Sequence, residues 1–487
     1  MKYWPTLMSQ PSFFTRIVNS AICATLAAGT AAAYGQTAAE QIRHVETGLL
    51  RRVQIKGQPV QKFSIAERMQ HWHVPGVSVA VISNGVVVWA KGYGVRELGG
   101  AAVTPETLFQ AASISKTATA IAALRLVELG KLSLDEDVNL KLKSWKLPTS
   151  EAMQGEKVTL RRLLSHTAGT TVHGFPGYAQ GAPMPTLPQV LDGIKPANTA
   201  PVRVDIKPGT QWRYSGGGYE IVQQLIQDVT GKPFAEVMQE LVLAPLHMKE
   251  STYEQPLPKR LWADAATAYN SDGVAIPGKW HIYPEQAAAG LWTTPSDLAK
   301  IILEIQRPGR VLSEKTVDLM NTPVLDHYGL GLQLSDTGGQ KAFSHGGANE
   351  GFRCMLWGYR EGGRGAVVMT NGDNGAQLAQ EILAAIAAAY HWPDFTPQEK
   401  AVVAVPAAKL AAYAGSYEAP HNFVLNVLFE NGNLYVQHPG YPKLELLPES
   451  EDTFFDPDGM APDIHFSRTS DGNWQLSGGG LNAKRRK

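Results

Sequence analysis

The sequence Ala111-Ala112-Ser113-Ile114-Ser115-Lys116 opens a stretch that carries no further charge before Arg125. Alanine, leucine and isoleucine fill this stretch on almost every side as far as Leu129. Gly130 follows, where a glycine that ends a helix is expected. Because a helix that is apolar all round lies inside a protein, the stretch predicts a buried helix of a globular domain.

Ser113 and Lys116 are three residues apart, so the helical spacing places them on one face. A lysine inside such a helix is costly unless it has a partner or a function. Burial disfavours the charged form of a lysine, and an uncharged lysine can take the proton of a neighbouring serine. Ser113 is therefore a candidate nucleophile and Lys116 its candidate base. The alternative is a lysine that extends to solvent near the start of a helix.

A second candidate segment is Trp212–Tyr219, which precedes a helical pattern over Glu220–Val229. It contains Tyr214, a small polar residue and then Gly216, on a predicted loop where backbone can approach a ligand. A tyrosine held beside a lysine can pass a proton to a leaving group. The segment alone is equally typical of a turn with a packed aromatic ring.

A third candidate segment is His345-Gly346-Gly347-Ala348, which leads into the strand-like run Gly351–Tyr359. A polar residue followed by two glycines lets a substrate lie alongside the edge of a strand. A glycine-rich strand end with no function has the same pattern, so this segment is weak evidence by itself.

Composition limits the classes of function. The chain has 487 residues, of which 44% are hydrophobic and 18% are charged, as expected for a soluble globular protein. Forty-four basic side chains balance 44 acidic ones, so the basic excess of a nucleic-acid-binding protein is missing. His71-Trp72-His73 lacks the spacing of a zinc site, and no metal site is expected.

The first 35 residues have the pattern of a secretory signal peptide. Lys2 and Arg16 precede an apolar run from Ile17 to about Ala28, and small residues lead to Gly35. We expect a secreted or periplasmic protein with no membrane span once this segment is removed. A membrane anchor is the alternative, but the apolar run is shorter than the roughly 20 residues that a span needs.

The rest of the chain divides into two predicted domains, 36–395 and 396–487. Strands Val77–Ile82 and Val86–Ala90 are joined through Asn84-Gly85, a strong hairpin signal. Beyond an alanine-rich helix at Ala376–Tyr390, short strands and turns predict a small all-β domain.

The three segments in this order resemble the serine β-lactamase and penicillin-recognising enzyme superfamily. That superfamily carries S-x-x-K, then Y-x-N, then K/H-x-G, and the resemblance covers roughly residues 60–390. Leu163–Gly169 and Ala289–Leu298 look like its connecting segments. The all-β tail resembles the lipocalin-like domain of some of these hydrolases. The resemblance implies an α+β fold, an antiparallel sheet flanked by helices, with a small barrel after it.

The resemblance also implies a mechanism without metal or organic cofactor. Ser113 attacks a carbonyl and forms an acyl-enzyme, while Lys116 and Tyr214 carry the proton to the leaving group. The backbone N–H groups of Ser113 and Ala348 form the oxyanion hole. His345, with Gly346 and Gly347 behind it, lines the pocket and binds a carboxylate or the Tyr214 hydroxyl.

Two departures from the superfamily pattern bear on the substrate. Gly216 stands where the asparagine of Y-x-N is expected, and His345 replaces the lysine of β-lactamases. The missing asparagine weakens the case for β-lactams, and the histidine in place of lysine weakens the case for substrates with a C-terminal carboxylate. The preferred function is an exported peptidase or amidase on small peptides, resembling D-aminopeptidases.

Several alternatives stay open at this point. The chain could be a carboxylesterase, a weak β-lactamase, or a non-catalytic relative that binds peptides or peptidoglycan. A Ser-His-Asp triad through His166 is a rival arrangement, although no G-x-S-x-G elbow surrounds any candidate serine. The oligomeric state is also open.

Overall fold

A computed structural model describes residues 38–420, 423–439 and 443–486. The predicted signal peptide lies outside these residues. Within them, every helix is too short or too polar to cross a membrane.

A six-stranded antiparallel sheet forms the centre of the molecule, with the strand order β3-β2-β9-β8-β7-β6. The strands that precede the barrel are β1 (Val53–Ile55), β2 (Gly76–Ser83), β3 (Val86–Gly94), β4 (Phe109–Gln110), β5 (Trp292–Thr293), β6 (Gln333–Thr337), β7 (Gln340–Asn349), β8 (Phe352–Tyr359), β9 (Gly365–Thr370) and β10 (Gln398–Lys400). The hairpin predicted around Asn84-Gly85 is β2–β3, and it extends further than predicted because β3 continues to Gly94.

Helices cover both faces of this sheet. They are α1 (38–47), α2 (Ile65–His71), α3 (Ser115–Glu128), α4 (Leu160–Leu164), α5 (Leu187–Asp192), α6 (Gly216–Thr230), α7 (Phe234–Met238), α8 (Gln286–Ala289), α9 (Pro295–Gln306), α10 (Glu314–Met320), α11 (Gly375–Tyr390) and α12 (Ala407–Tyr413). Helix α11 packs on one face of the sheet and α9 on the other. The predicted α+β fold, a sheet between helices, is confirmed.

Strand β2 shows why the sheet is buried on both sides. Successive side chains of a strand point to opposite faces. Ala80 and Ile82 join the core that contains α3 and α9, whereas Val77, Val79 and Val81 join the core that contains α11. A strand that is apolar at every position therefore lies between two helical layers.

Helix α3 confirms the buried helix predicted from its composition. Its residues from Ser115 to Leu124 are all buried. Gly130 follows the helix with φ of 68°, in the left-handed region that favours glycine. The helix begins at Ser115, so Ser113 lies in the preceding 3₁₀ turn, Ala112–Ile114. The expectation that Ser113 shares a helix face with Lys116 is wrong in this detail.

The C-terminal strands form a closed eight-stranded antiparallel barrel, which confirms the predicted small β domain. The strands are β11 (Gly415–Ala419), β12 (Phe423–Glu430), β13 (Asn433–Gln437), β14 (Leu444–Pro448), β15 (Thr453–Phe455), β16 (Ile464–Arg468), β17 (Trp474–Gly478) and β18 (Leu481–Arg485). Each strand pairs with its neighbour in sequence, and β11 pairs with β18. This up-and-down order leaves no free sheet edge.

Candidate active site

Ser113 is held in the tight turn between β4 and α3. The preceding residue, Ala112, has φ of 49°, a left-handed conformation that costs energy in a residue other than glycine. Such strain is typical of functional sites because the surrounding structure must hold it in place. The Ser113 hydroxyl accepts a hydrogen bond of 3.0 Å from Lys116 Nζ.

Lys116 lies beneath Ser113 with only 2% of its surface exposed. Besides the Ser113 hydroxyl, its Nζ binds the carbonyl oxygen of Ala288 in α8, at 2.8 Å. No acidic side chain among the described residues forms an ion pair with it. The alternative of a lysine that extends to solvent is therefore wrong. Instead, Nζ is hydrogen-bonded to the hydroxyl of the candidate nucleophile.

Tyr214 stands on the loop before α6, as predicted, and lines the same cleft as Ser113. Lys116 Nζ lies 5.0 Å from the centre of the Tyr214 ring. Ser215 caps α6 by accepting a 2.9 Å hydrogen bond from the Gly218 N–H. The cap fixes where the helix begins and thus where Tyr214 projects.

Gly216 is the first residue of α6, so the helix begins earlier than its predicted start at Glu220. A Cβ atom on Gly216 would lie 3.0 Å from the Phe175 ring and 3.1 Å from the His173 carbonyl oxygen. The loop that carries these two residues therefore closes over the position where the superfamily has an asparagine. An asparagine here requires that the Phe175 ring or the His173 carbonyl shift by a few tenths of an ångström.

The segment from His345 to Ala348 lies in β7 beside Ser113. A Cβ on Gly347 would clash with the backbone carbonyl of Ala111, so this close approach needs glycine. At Gly346 the nearest atom to such a Cβ is Met355 Cε, at 3.7 Å, so that glycine is not required by packing. Ala348 lines the cleft with Ser113.

His345 is buried, and its Nδ1 lies 2.7 Å from the Gly346 carbonyl oxygen. Because that oxygen can only accept, Nδ1 carries the proton and Nε2 is an acceptor. Burial, and then the nearby charge of Lys116, lower the pKa of His345 to about 4. The ring is therefore neutral near pH 7 and offers no positive charge to a substrate carboxylate.

His166 supports the Tyr214 loop and does not form a triad. Its Nδ1 accepts a 3.1 Å hydrogen bond from the Ser215 N–H, which leaves that nitrogen unavailable to a carboxylate. Its ring centre lies 4.3 Å from that of Tyr214. Burial, followed by the charge of Lys116, holds the pKa of His166 well below its usual range. The rival Ser-His-Asp arrangement is therefore wrong.

Two buried acids behind the site were not anticipated. Glu220 in α6 and Glu285 before α8 are both fully buried. Glu220 accepts a 3.0 Å hydrogen bond from the N–H of Ala288. The carbonyl oxygen of Ala288 in turn binds Lys116 Nζ. Burial raises the pKa of Glu285 to about 8 and the pKa of Glu220 well above its usual range. The sequence signal for Glu220 was an acid inside an otherwise apolar stretch, Tyr219–Val222.

A cleft of about 640 Å³ brings together the predicted residues that face it: Ser113, Tyr214, His345, Gly346, Gly347 and Ala348. Tyr328, which the sequence reasoning did not identify, also lines it, with its ring centre 4.9 Å from that of His166. Within the described ranges there is no group of three or more histidines, cysteines or acids placed to hold a metal ion.

Comparison with known sequence families gives two matches. The sequence model of the family described as Beta-lactamase matches residues 64–391. The model of a domain of unknown function, DUF3471, matches residues 399–475 in the barrel.

Individual proteins also resemble the chain. It is 30% identical over 202 residues to the unguisins hydrolase of Aspergillus campestris, covering 39% of this chain and 35% of that protein. Across the curated relatives it matches, the chain spans less than half of their length.

Two solved structures share the fold. The octameric penicillin-binding protein homologue from Pyrococcus abyssi has a TM-score of 0.58 at 25% identity, over 86% of this chain and 98% of that one. The D-amino acid amidase from Ochrobactrum anthropi SV3 has a TM-score of 0.55 at 23% identity, over 67% and 96% of the two chains. The superfamily resemblance predicted from the three motifs is confirmed.

Proposed function

The chain belongs to the Beta-lactamase family, and on that premise we propose that it is a serine hydrolase that cleaves amides of small peptides through an acyl-enzyme on Ser113. One observation carries the proposal. Lys116 Nζ lies 3.0 Å from the Ser113 hydroxyl while the lysine is 2% exposed. A base fixed against a hydroxyl at this distance is the arrangement that activates a serine.

In the proposed reaction, Ser113 Oγ attacks the substrate carbonyl carbon and gives its proton to Lys116, which accepts it in its uncharged form. The backbone N–H groups of Ser113 and Ala348 hold the oxyanion, and each such donor contributes roughly 3–4 kcal/mol to lowering the barrier. Lys116 passes the serine proton through the Tyr214 hydroxyl to the leaving nitrogen, so that both groups return to their starting protonation, and the amine departs. Water then hydrolyses the acyl-enzyme and restores the serine.

The choice of an amide substrate is supported by the chemistry of the cleft. A neutral His345 attracts a terminal carboxylate less than a lysine does, which disfavours carboxypeptidase action. Gly216 lacks the side-chain amide that β-lactams contact in the superfamily, and the loop over it leaves little room for one. The amidase of shared fold and the unguisins hydrolase are both hydrolases by name.

Ester hydrolysis is the second candidate, because an ester requires only the nucleophile, the base and the oxyanion hole. We therefore expect the enzyme to cleave p-nitrophenyl butyrate in addition to a D- or L-aminoacyl p-nitroanilide. Nitrocefin should be the poorest of the three substrates. The measurement is kcat/KM for each, with Ser113→Ala as the background control.

Two results would contradict the proposal. Nitrocefin turnover far above that of the other substrates would indicate a β-lactamase. No turnover of any of them, together with peptide binding, would indicate the non-catalytic alternative.

We further infer that the enzyme acts outside the cytoplasm, because residues 1–35 have the charge and apolar pattern of a signal peptide. Expression of the full chain in a Gram-negative host should yield a periplasmic product whose N-terminus lies near residue 36. A product that keeps its first residues in the cytoplasmic fraction would contradict this.

A further inference from the structure

A second cavity adjoins the active-site cleft and reaches the barrel. Its volume is about 600 Å³, and it shares Gln333, Gly346, Met355 and Ala376 with the cleft. Residues 458–460, from the loop between β15 and β16, line its other side. The cleft therefore continues past the hydrolase domain to a loop of the barrel.

This barrel loop is firmly attached to the hydrolase domain. Asp458 accepts a 2.9 Å hydrogen bond from Arg68, whose side chain is 2% exposed. The other oxygen of Asp458 lies 3.1 Å from His71 Nε2. Within the loop, Asp456 accepts the N–H groups of Asp458 and Met460. Charge-assisted hydrogen bonds at a buried position hold the loop as a fixed wall of the second cavity.

The second cavity lies on the leaving-group side of the proposed reaction. The oxyanion is held near Ala348, and the leaving group takes its proton from Tyr214, whose ring centre is 6.3 Å from that of His345. Leaving groups thus point along β7 from Ala348 toward His345. Ser344 lines the second cavity. Gly346, only two residues from Ala348, also lines the second cavity, so at about 3.3 Å per residue a leaving group of two or more extended residues reaches it.

The lining of the second cavity suits a peptide chain. Met355 and Trp357, two residues apart on one face of β8, form an apolar wall together with Met460. One buried acceptor of the lining, Gln377 Oε1, has no hydrogen-bond partner within the described residues, whereas Arg51 Nε lies 3.6 Å from Asp458 Oδ1. The N–H groups of a peptide backbone supply a matching donor.

We propose that the second cavity is a subsite for the leaving-group portion of an extended peptide, so that the enzyme prefers peptides of several residues to simple amides. The barrel thereby takes part in substrate selection. This inference rests on the proposed hydrolase function, and its test separates the two.

The first arm measures binding without turnover. Ser113→Ala is titrated by calorimetry with alanine amide and with pentaalanine amide, each in the D and L forms. In one of the two stereochemical series, D or L, we expect pentaalanine amide to bind at least tenfold more tightly than alanine amide. Adding Gln380→Trp, which fills the second cavity from α11, should remove this gain, and Met460→Ala should reduce it. Ala388→Trp, at an exposed position of the same helix, is the matched control and should preserve it.

The second arm measures turnover by chromatography and mass spectrometry of the released products. Gln380→Trp should lower kcat/KM for pentaalanine amide at least tenfold more than it lowers kcat/KM for p-nitrophenyl butyrate. Equal binding of the short and long amides, or a gain that survives Gln380→Trp, would overturn the subsite. Length-dependent binding without any hydrolysis would keep the subsite and overturn the proposed function.

Discussion

The hydrolase domain and the barrel differ in whether their buried polar side-chain atoms have hydrogen-bond partners. In the barrel, Asp456 is 4% exposed and its carboxylate accepts three backbone N–H groups. The buried hydroxyl of Tyr417 donates to the Tyr413 carbonyl at 2.7 Å. Across the described residues, every buried side-chain polar atom without a partner lies between Arg51 and Trp392, outside the barrel.

Some of these unpartnered atoms lie at or beside the candidate active site. They belong to His166, Glu220, Tyr328 and His345. A buried polar group without a partner costs about 1–3 kcal/mol. The comparison teaches that the barrel pairs its buried polar groups, whereas the hydrolase domain leaves some without a partner, at its site and elsewhere. The predictions below test this difference.

The largest expected effect is that of Ser113→Ala, which removes the nucleophile and should lower ester and amide turnover by about 10⁴-fold or more. Ser115→Ala is its counterpart two residues away. The Ser115 hydroxyl accepts the Leu291 N–H at 3.0 Å, so its loss should cost about 1–3 kcal/mol of stability but leave turnover within about tenfold. Steady-state rates and thermal unfolding of both variants measure this contrast. Equal losses of activity would contradict it.

Lys116→Arg should slow acylation by about 10²–10⁴-fold, because an arginine cannot act as a base in a protein. Lys300→Arg is the matched control, since Lys300 is partly exposed and paired with Asp297 at 2.6 Å. It should retain its rate. Rapid-quench measurement of the acyl-enzyme separates this step from deacylation. A near-normal rate in Lys116→Arg would place the base elsewhere.

Glu285→Gln should change how stability depends on pH. The pKa of Glu285 is raised from 4.5 to about 8 in the folded protein. Between these values the folded protein holds a proton that the unfolded chain has released, so raising the pH favours unfolding. One such group contributes a slope of about 1.4 kcal/mol per pH unit.

The variant should remove this slope, and it should unfold at a higher temperature than the parent at pH 8. Unfolding temperatures between pH 5 and 8 provide the measurement. Parallel curves for parent and variant would show that Glu285 is ionised in the folded protein.

Asp456→Ala should destabilise the barrel by about 1–3 kcal/mol, because three N–H groups lose their acceptor. Asp471→Ala, at an exposed turn of the same barrel, should change stability by less than about 0.5 kcal/mol. Thermal unfolding followed by circular dichroism compares the two variants. No difference between them would contradict the idea that the barrel depends on its satisfied polar groups.

The smallest effect belongs to a pair of tyrosines. Tyr328→Phe removes a hydroxyl without a partner among the described residues, so stability should stay level or rise by up to about 1 kcal/mol. Tyr417→Phe removes a hydroxyl that donates to Tyr413, and stability should fall by about 1 kcal/mol. Urea unfolding gives both values. A marked loss in Tyr328→Phe would show that its hydroxyl is satisfied.

The sequence could predict what depends on local pattern. The apolar run after Lys116 predicted the buried helix, and the three motifs predicted the superfamily. Spacing also paired Ser113 with Lys116, although a 3₁₀ turn, not a helix, carries the serine.

What the sequence could not predict depends on contacts between distant segments. Glu285 lies 65 residues beyond Glu220 in the chain, and only the fold buries the two acids close to each other. Two other tertiary contacts could not be predicted from local sequence patterns. Phe175 packs over Gly216, and Asp458 binds Arg68.

The central claim is that Ser113 is the nucleophile of an acyl-enzyme site. Its most direct test is to react the protein with a fluorophosphonate, measure the intact mass, and map the modified peptide. We expect one adduct per chain, located on Ser113, and none in Ser113→Ala. An unmodified protein, or an adduct on another serine such as Ser115, would contradict the account.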